Sequence, residues 1–303
     1  MMKRLLLILV LLMLALPTIA QEEEELPLWD GQSRLNILVM GMDRRPGARD
    51  TLSVRTDAIF LISINPAEER IGILHIPRDL HFVPAGSADF IRVNTLVLEG
   101  EDLQEGYGPY YAMETLQYNL GMYIDRYVMF DFEAFITLVD AVDGVTITTR
   151  YTIDDPTYPD MNYGFDPFYL PAGTHTLNGR DALRFARTRH GDNDFVRGER
   201  QMQVITALQE KLAEGRTLAQ LVLQAPTLYE ELSHNIYTDL ALEEIIRLGQ
   251  IGVLIPQENV YTGGINLEYN LQYTLPNGQN VYIPDRAALA DLMVELFGED
   301  YFQ

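Results

Sequence analysis

The chain has 303 residues, of which 47% are hydrophobic, and its formal net charge is −22 at pH 7. A chain of this length can bury a sizeable core, as one large domain or two modest ones. Its acidity argues against general binding to nucleic acid, because the release of counterions from phosphates requires a basic surface. The absence of cysteine excludes a disulfide framework and a lipid anchor attached through cysteine.

The first twenty residues have the pattern of an export signal. Lys3 and Arg4 precede an apolar stretch that ends at Ala20, and a run of glutamates follows. The stretch is shorter than a membrane span of roughly 20 residues, and Pro17 interrupts it. This favours a signal peptide cleaved after Ala20, with an uncleaved, tilted membrane anchor as the alternative. Both alternatives place the body of the protein outside the cytoplasm, on the outer face of the cytoplasmic membrane or in the cell wall. If the signal is cleaved, the protein is secreted.

The remainder of the chain divides into a linker and one domain. We assign residues 1–20 to the signal peptide or short membrane anchor, residues 21–34 to an acidic linker and residues 35–303 to a single domain. Residues 216–303 form the C-terminal part of this domain, in which Gly263-Gly264 is a candidate joint.

Three apolar segments after the linker predict strands. They read LNILVMGMD, DAIFLISINP and RIGILHIPRD, and a turn that begins with Asn-Pro joins the last two. Each has charged residues at one end, among them Asp43, Asp57 and Arg78. Because open α/β sheets place ligand sites at the ends of their strands, we expect a site here.

The rest of the chain alternates between helical and extended patterns. In chain order, we predict a helix over 109–122, a strand over 126–132, a helix over 133–142, a strand over 145–149, a long surface excursion over 151–171, a short helix over 178–187, a helix beginning near Asp194, one or two helices between 217 and 250, a hairpin turning at Asn277-Gly278 and a closing helix over 285–297. This mixture predicts an α/β fold, a three-layer α/β/α sandwich with a central mixed β-sheet.

Motif spacing excludes several kinds of active site. The five histidines show neither HExxH nor another paired metal spacing, which argues against zinc. The chain contains no GxSxG elbow and no phosphate-cradling GxxxxGK[ST] loop. Carboxylates and guanidinium groups therefore remain as the candidate chemistry.

Arginine is concentrated in the stretch RFARTRHGDNDFVRGERQ, which holds five of the chain's 22 basic residues. A helix that begins at Asp194 puts Arg197, Arg200 and Gln201 on one face of its first two turns. The free N–H groups at that end favour an anion, and guanidinium groups match phosphate oxygens in pairs. We therefore expect a phosphate or diphosphate ligand, with surface ion pairs to Asp and Glu as the alternative.

The arginines upstream of that helix divide into two groups. Arg187 and Arg189 alternate along an extended segment, so both can point toward the same ligand. Arg184 lies on a predicted helix whose Leu183 and Phe185 must face the core. We therefore expect the side chain of Arg184 in solvent and outside the site.

Asp43 and Asp57 are the candidate metal ligands. Paired carboxylates beside a diphosphate favour a hard cation such as Mg²⁺, with Mn²⁺ as a substitute. The alternative is that both aspartates only cap turns.

Seven segments in order resemble the LytR–CpsA–Psr (LCP) family of bacterial cell-envelope proteins. They are GMDRR, VRTDAIFLISINP, ILHIPRD, RVN, LVDAVDGVTI, LPAGTHTLNGRDALRFARTRH and DFVRGERQ. The resemblance implies an α/β/α catalytic domain that binds a polyprenyl diphosphate and transfers its phosphate-linked glycopolymer to peptidoglycan at the membrane surface.

The resemblance also implies roles for individual residues. Asp43 and Asp57 match the family's magnesium-associated aspartates, and Asp194 matches a catalytic aspartate. The diphosphate-contacting residues correspond to Arg78, Arg92, Arg187, Arg189, Arg197 and Gln201, with Arg200 beside them. Of these, we expect Arg78, Arg187 and Arg189 to act in catalysis. Asp194 either positions or deprotonates the acceptor hydroxyl, or else orients Arg197 or caps its helix.

Two other functions remain open at this point. A phosphatase that only hydrolyses the diphosphate would use the same residues, with water as the nucleophile. A non-catalytic binder of polyprenyl phosphates would need the arginines but not the aspartates. The apolar residues of 109–140 similarly predict either the wall of a lipid tunnel or an ordinary core helix.

Overall fold

The computed structural model describes residues 27–44, 51–160, 164–188, 194–213 and 234–302, with isolated positions between 224 and 232. The strands are β1 (Leu35–Met42), β2 (Thr56–Asn65), β3 (Arg70–His75), β4 (His81–Phe82), β5 (Ile91–Arg92), β6 (Arg126–Phe130), β7 (Val145–Thr149), β8 (Ile153–Asp155), β9 (Phe168–Leu170), β10 (Gly173–Leu177), β11 (Ile236–Thr238), β12 (Val260–Gly264), β13 (Asn270–Thr274) and β14 (Asn280–Pro284). The α-helices are α1 (Leu96–Leu103), α2 (Gly108–Leu120), α3 (Phe132–Ala141), α4 (Gly179–Arg187), α5 (Asp194–Ala213), α6 (Leu242–Leu254) and α7 (Arg286–Phe297).

A six-stranded mixed sheet lies at the centre, in the order β11-β6-β1-β2-β3-β12. Strands β1, β2 and β3 run antiparallel, with Leu38 opposite Leu61 and Leu61 opposite Leu74. Strand β6 is parallel to β1, and β12 is parallel to β3, whereas β11 is antiparallel to β6. The predicted mixed sheet is therefore confirmed.

Helices cover both faces of this sheet. Along β1, Leu38 and Met40 belong to a core cluster shared with α1, α2 and α7, whereas Leu35 and Ile37 belong to a second cluster on the opposite face. Alternate residues of a strand point to opposite faces, so a strand covered on both sides is apolar along its length. The second cluster includes side chains of α5 and α6, which completes the predicted three layers.

Helix α2 packs as a core helix. Its buried residues Ala112, Met113, Leu116 and Leu120 all lie in the first core cluster. Gly121 ends the helix in the left-handed conformation, as its position in the sequence predicts.

The segment 151–171 differs from the predicted surface excursion. It contributes β8 and β9 and buries Tyr158, Phe168 and Leu170 in a third core cluster, together with side chains of α4 and α5. Its Pro, Asp and Tyr content is typical of a loop, but the aromatic side chains provide enough apolar surface to pack.

Gly263-Gly264 is not a joint. Both residues belong to β12 and pair with Leu74 and His75 of β3. A Cβ at Gly263 would lie 3.1 Å from the side chain of Leu292, so glycine suits the close approach of α7. The predicted hairpin at Asn277-Gly278 is confirmed as β13 and β14.

The closing helix α7 is joined to strands from the start of the chain. Arg34 donates to the carbonyl oxygen of Phe297 at 2.8 Å, and Arg70 donates to that of Glu295 at 2.9 Å. These guanidinium groups satisfy carbonyls that have no partner within the helix.

Residues 27–34, assigned above to the linker, dock against α6. Trp29 is only 5% exposed, and its backbone N–H donates to Glu244 at 2.7 Å. Arg126 also donates to Glu244, at 3.3 Å, within this buried network. The ordered body of the protein therefore begins before the first strand.

The predicted export signal lies outside the described residues, as does most of the predicted helical region between 217 and 233. Within the part of the chain that the structure describes, no helix has both the length and the apolar character needed to span a bilayer.

Candidate active site

The candidate site lies at one edge of the central sheet. Strand β1 ends at Met42, immediately before Asp43, and its antiparallel neighbour β2 begins beside it with Thr56 and Asp57. The backbone N–H of Asp43 donates to the carbonyl oxygen of Arg55 at 2.9 Å. The antiparallel pairing therefore brings both aspartates to the edge where β3 also ends.

Six of the predicted residues line one cavity of about 490 Å³ at this edge. Its lining consists of Asp43, Asp57, Arg78, Asp155, Thr157, Tyr158, Pro159, Arg187, Arg197 and Gln201. Loops, the ends of strands and two helices contribute to it, so charged side chains as far apart in the sequence as Asp43 and Arg197 lie at one place.

Asp57 and Arg78 form the part of the site nearest the sheet. Arg78 makes a close ion pair with Asp57, and Asn94 donates to the other carboxylate oxygen of Asp57 at 3.0 Å. Arg78 also lies 3.6 Å from a carboxylate oxygen of Asp79. Flanking carboxylates hold the guanidinium group of Arg78 in place before any ligand binds.

Arg187 enters the cavity from the C-terminal end of α4. It lies 3.5 Å from a carboxylate oxygen of Asp43 and donates to the hydroxyl oxygen of Tyr158 at 3.3 Å. Its guanidinium carbon is 4.0 Å from the centroid of the Phe132 ring. Burial raises the pKa of Tyr158, so the phenol stays protonated. Stacking on an aromatic face limits the motion of Arg187 without consuming its hydrogen-bond donors.

Helix α5 begins at Asp194, as the sequence predicts, and supplies Arg197 and Gln201. Both residues are more than 90% buried. His75, at the end of β3, hydrogen-bonds to Gln201 and lies near Arg197. A Cβ on Gly198 would overlap the imidazole ring of His75, so glycine lets helix and strand approach closely.

His75 is an uncharged support for these two residues. Burial, and then the charge of Arg197, lower the pKa of His75 from 6.5 to about 4, although the hydrogen bond with Gln201 opposes the shift. Its ring also packs against Phe60, with centroids 5.2 Å apart. A neutral imidazole adds no further positive charge behind Arg197.

Two predicted ligand contacts are not brought into the cavity. Arg200 is buried, but it donates to the backbone carbonyl of Thr188 at 2.6 Å, and it faces a neighbouring groove. Arg92 lies on the short strand β5, 3.4 Å from Asp79, with 41% of its side chain exposed. Arg200 and Gln201 are adjacent in the helix, so their side chains point about 100° apart. Arg92 contacts Asp79, which in turn lies beside Arg78.

Arg189 lies outside the described residues, and so does the side chain of Asp194. Arg184 is correctly excluded from the cavity, but its predicted solvent exposure is wrong. Its side chain is only 16% exposed and forms ion pairs with Asp166 and Asp181. These acidic partners lie beside the third core cluster and cover its guanidinium group.

Sequence reasoning missed the wall formed by Asp155, Thr157, Tyr158 and Pro159. Asp155 accepts a hydrogen bond from the Thr188 hydroxyl at 2.7 Å, so it ties this wall to the end of α4. The signal that was available is the repeated Asp and Tyr within the segment 151–171.

Comparison with known proteins agrees with this architecture. Residues 17–297 match the LytR_cpsA_psr family. TagV of Bacillus subtilis (strain 168), named a polyisoprenyl-teichoic acid–peptidoglycan teichoic acid transferase, is 26% identical over 239 residues, which are 78% of this chain and 57% of that protein. TagU of Oceanobacillus iheyensis carries the same description and is 29% identical over 229 residues, 74% of this chain and 65% of that protein.

Among solved structures, that of B. subtilis TagV superposes with a TM-score of 0.68 at 25% identity and covers 88% of this chain and 96% of that one. The chain spans about half to two thirds of the length of the curated relatives that it matches. The family match extends over nearly all of the described residues and includes every element of the candidate site. The chain belongs to the LytR_cpsA_psr family.

Proposed function

We propose that this protein transfers a phosphate-linked glycopolymer from a polyprenyl diphosphate carrier to peptidoglycan. The observation that carries the proposal is the cavity in which guanidinium groups from three elements, those of Arg78, Arg187 and Arg197, meet beside Asp43 and Asp57. The names of the relatives supply the class of donor and acceptor, a polyisoprenyl-linked teichoic acid and peptidoglycan.

Electrostatics make this cavity suited to phosphoryl transfer. The transition state spreads negative charge over phosphate oxygens, so catalysis depends on positioned positive charge more than on covalent help. Arg78 is held by Asp57, and Arg187 is held between Asp43 and the Phe132 ring. These contacts fix the positive charges in advance, which lowers the cost of ordering them around a diphosphate.

The proposed reaction exchanges one phosphorus–oxygen bond for another. A hydroxyl oxygen of peptidoglycan bonds to the phosphorus that bears the glycopolymer, while the bond from this phosphorus to the bridging oxygen breaks. Polyprenyl phosphate leaves with the electron pair. The proton of the hydroxyl passes to Asp194, to which we assign the role of base from the family resemblance. This chemistry requires a location on the outer face of the cytoplasmic membrane, in agreement with the N-terminal pattern.

Asp43 and Asp57 would hold Mg²⁺, or Mn²⁺ in its place. Neither belongs to a group of three or more carboxylates or histidines among the described residues, so the protein offers an incomplete metal shell. Mg²⁺ commonly binds through one or two carboxylates together with substrate phosphates and water. When bound, it would neutralise charge on the diphosphate. Calorimetric titration should therefore show Mg²⁺ binding that strengthens at least tenfold when a soluble diphosphate is present, and that is lost in Asp43→Asn and Asp57→Asn.

The proposal is tested with the full chain, a short-chain polyprenyl diphosphate donor and a peptidoglycan oligosaccharide. For the wild type we expect a coupled product and released polyprenyl phosphate. For Arg187→Ala we expect kcat/KM to fall at least tenfold, because a charged hydrogen bond contributes about 1.5–3 kcal/mol. Phosphate release without coupling would identify a phosphatase instead. Tight binding of the donor without turnover would identify a carrier-binding protein.

A further inference from the structure

A buried ion pair joins two segments that adjoin the candidate active site. Arg44 follows Asp43 just beyond the end of β1, and Asp131 precedes Phe132 between β6 and α3. The Nε and Nη2 atoms of Arg44 donate to one carboxylate oxygen of Asp131, at 3.1 and 2.7 Å, and the two side chains are 7% and 6% exposed. Relative to apolar residues of similar volume, a buried ion pair adds little stability, so its contribution here is the geometry that it fixes.

Further hydrogen bonds determine the orientation of both partners. Arg44 also donates to the hydroxyl oxygen of Tyr237 at 2.8 Å and to the carbonyl oxygen of His234 at 2.5 Å. Asp131 accepts a hydrogen bond from the side chain of Asn235 at 2.8 Å, and its other carboxylate oxygen caps α3 by accepting from a backbone N–H of the first turn. This set of contacts requires a planar guanidinium group with several donors, and an ammonium group cannot reproduce it.

Arg187 closes a ring of contacts that includes this ion pair. Its Nη2 atom lies 3.5 Å from a carboxylate oxygen of Asp43, and its guanidinium carbon lies 4.0 Å from the centroid of the Phe132 ring. Asp43 is the covalent neighbour of Arg44, and Phe132 is that of Asp131. The ion pair therefore fixes the separation of the two groups that hold Arg187. A displacement of Asp131 would move the aromatic face on which Arg187 stacks.

A second buried ion pair lies at the other end of β6 and provides a comparison. Arg126, the first residue of β6, donates to Glu244 at 3.3 Å, and their side chains are 8% and 2% exposed. Asp131 lies five residues further along the chain, about 17 Å away at the usual rise of a strand. Within the described part of the chain, neither Arg126 nor Glu244 lines the cavity. The two pairs are therefore matched in burial and differ in their distance from the site.

We infer that Arg44 and Asp131 are positioning residues for the diphosphate site. Their ion pair holds the Phe132 ring at the place where Arg187 stacks, so the guanidinium group of Arg187 is oriented before the diphosphate binds. Binding then requires less ordering of this side chain, which increases the affinity. The inference rests on the proposed function for the role of Arg187 toward a diphosphate, but it concerns binding and does not depend on turnover.

The first test compares Arg44→Lys with Arg126→Lys in the full chain. Both changes keep the positive charge and reduce the number of hydrogen bonds, so both should lower the melting temperature. Geranyl diphosphate, a soluble probe, is titrated into each protein in a calorimeter at a saturating concentration of Mg²⁺. Arg44→Lys should weaken binding about three- to tenfold, less than the loss of at least tenfold expected when Arg187 itself is removed. Arg126→Lys should leave the affinity unchanged.

The Phe132 ring provides a second test that leaves the buried ion pair intact. Phe132 is partly exposed, so the protein should fold with leucine at this position. Phe132→Leu should weaken binding of geranyl diphosphate about three- to tenfold, because the guanidinium group of Arg187 loses its aromatic face. Phe132→Tyr keeps an aromatic face and should restore most of the affinity that Phe132→Leu loses. An undiminished affinity in Phe132→Leu would overturn the inference.

A double-mutant cycle distinguishes positioning from a general loss of stability. If Arg44 acts through Arg187, Arg44→Lys should change the affinity by no more than about twofold in a protein that already carries Arg187→Ala. A larger loss in that background would overturn the inference, and so would an equal loss of affinity in Arg126→Lys. Absence of binding by the wild type would overturn both this inference and the proposed function. If the variants behave as expected but the wild type transfers no glycopolymer, the proposed function fails and the positioning role stands.

Discussion

Acidification tests the buried environment of His75. Its pKa is lowered from 6.5 to about 4, first by burial and then by the charge of Arg197. Between these two pH values the unfolded chain carries a proton that the folded chain does not, so the free energy of unfolding falls as the pH falls through this window. Above pH 6.5 this contribution is fully present. The shift of about 2.5 pH units, at 1.36 kcal/mol per unit, corresponds to about 3 kcal/mol.

The assay is urea unfolding at a series of pH values from 4 to 7.5, for the wild type and for His75→Gln. The single tryptophan, Trp29, is buried and provides the fluorescence signal. Aspartates and glutamates titrate in both proteins, so the difference between the two curves isolates the histidine. We expect the variant to lose about 3 kcal/mol less than the wild type on going from pH 7 to pH 4. Parallel curves would refute the argument, because they would mean that the imidazole can take up its proton within the fold.

Three further predictions concern stability and binding. A chain that begins at residue 35 should have a free energy of unfolding about 3 kcal/mol or more below that of a chain that begins at residue 21, because residues 27–34 include the buried Trp29. Calorimetry measures the difference, and equal melting temperatures would contradict this prediction. Arg184→Ala should lower the free energy of unfolding by about 1–3 kcal/mol and leave the affinity for diphosphate unchanged. Arg187→Ala should weaken diphosphate binding at least tenfold. Equal losses of affinity in the two variants would indicate a diffuse basic patch. Gly198→Ala should reduce both stability and turnover, whereas Gly252→Ala, in open space on α6, should be neutral or slightly stabilising; a harmless Gly198→Ala would show that strand and helix are not in close contact.

The local sequence pattern predicted the position of a side chain correctly where that position follows from a single strand or helix. Asp43, Asp57 and Arg78 adjoin apolar strands, and antiparallel pairing of those strands brings their ends together. Helical spacing similarly placed Arg197 and Gln201 within one turn of each other.

Local pattern failed where a distant segment decides the environment. Arg184 was expected in solvent because its neighbours Leu183 and Phe185 face the core, but Asp166, 18 positions earlier in the sequence, covers it. Arg200 belongs to the same helical turn as Gln201, but a carbonyl from the preceding loop, that of Thr188, draws it away from the cavity. The wall around Tyr158 depends on packing against α4 and α5, which loop-like composition does not reveal.

The contacts between α7 and the first strands also bear on how the chain folds. Arg34 and Phe297 are 263 positions apart, and β3 pairs with β12, whose residues begin at Val260. Contacts between such distant positions form slowly, because a long loop must close before they contribute stability. Until residues beyond 260 have joined the fold, the outer side of β3 lacks its partner strand. A partly folded chain therefore presents an unpaired strand edge, which favours aggregation.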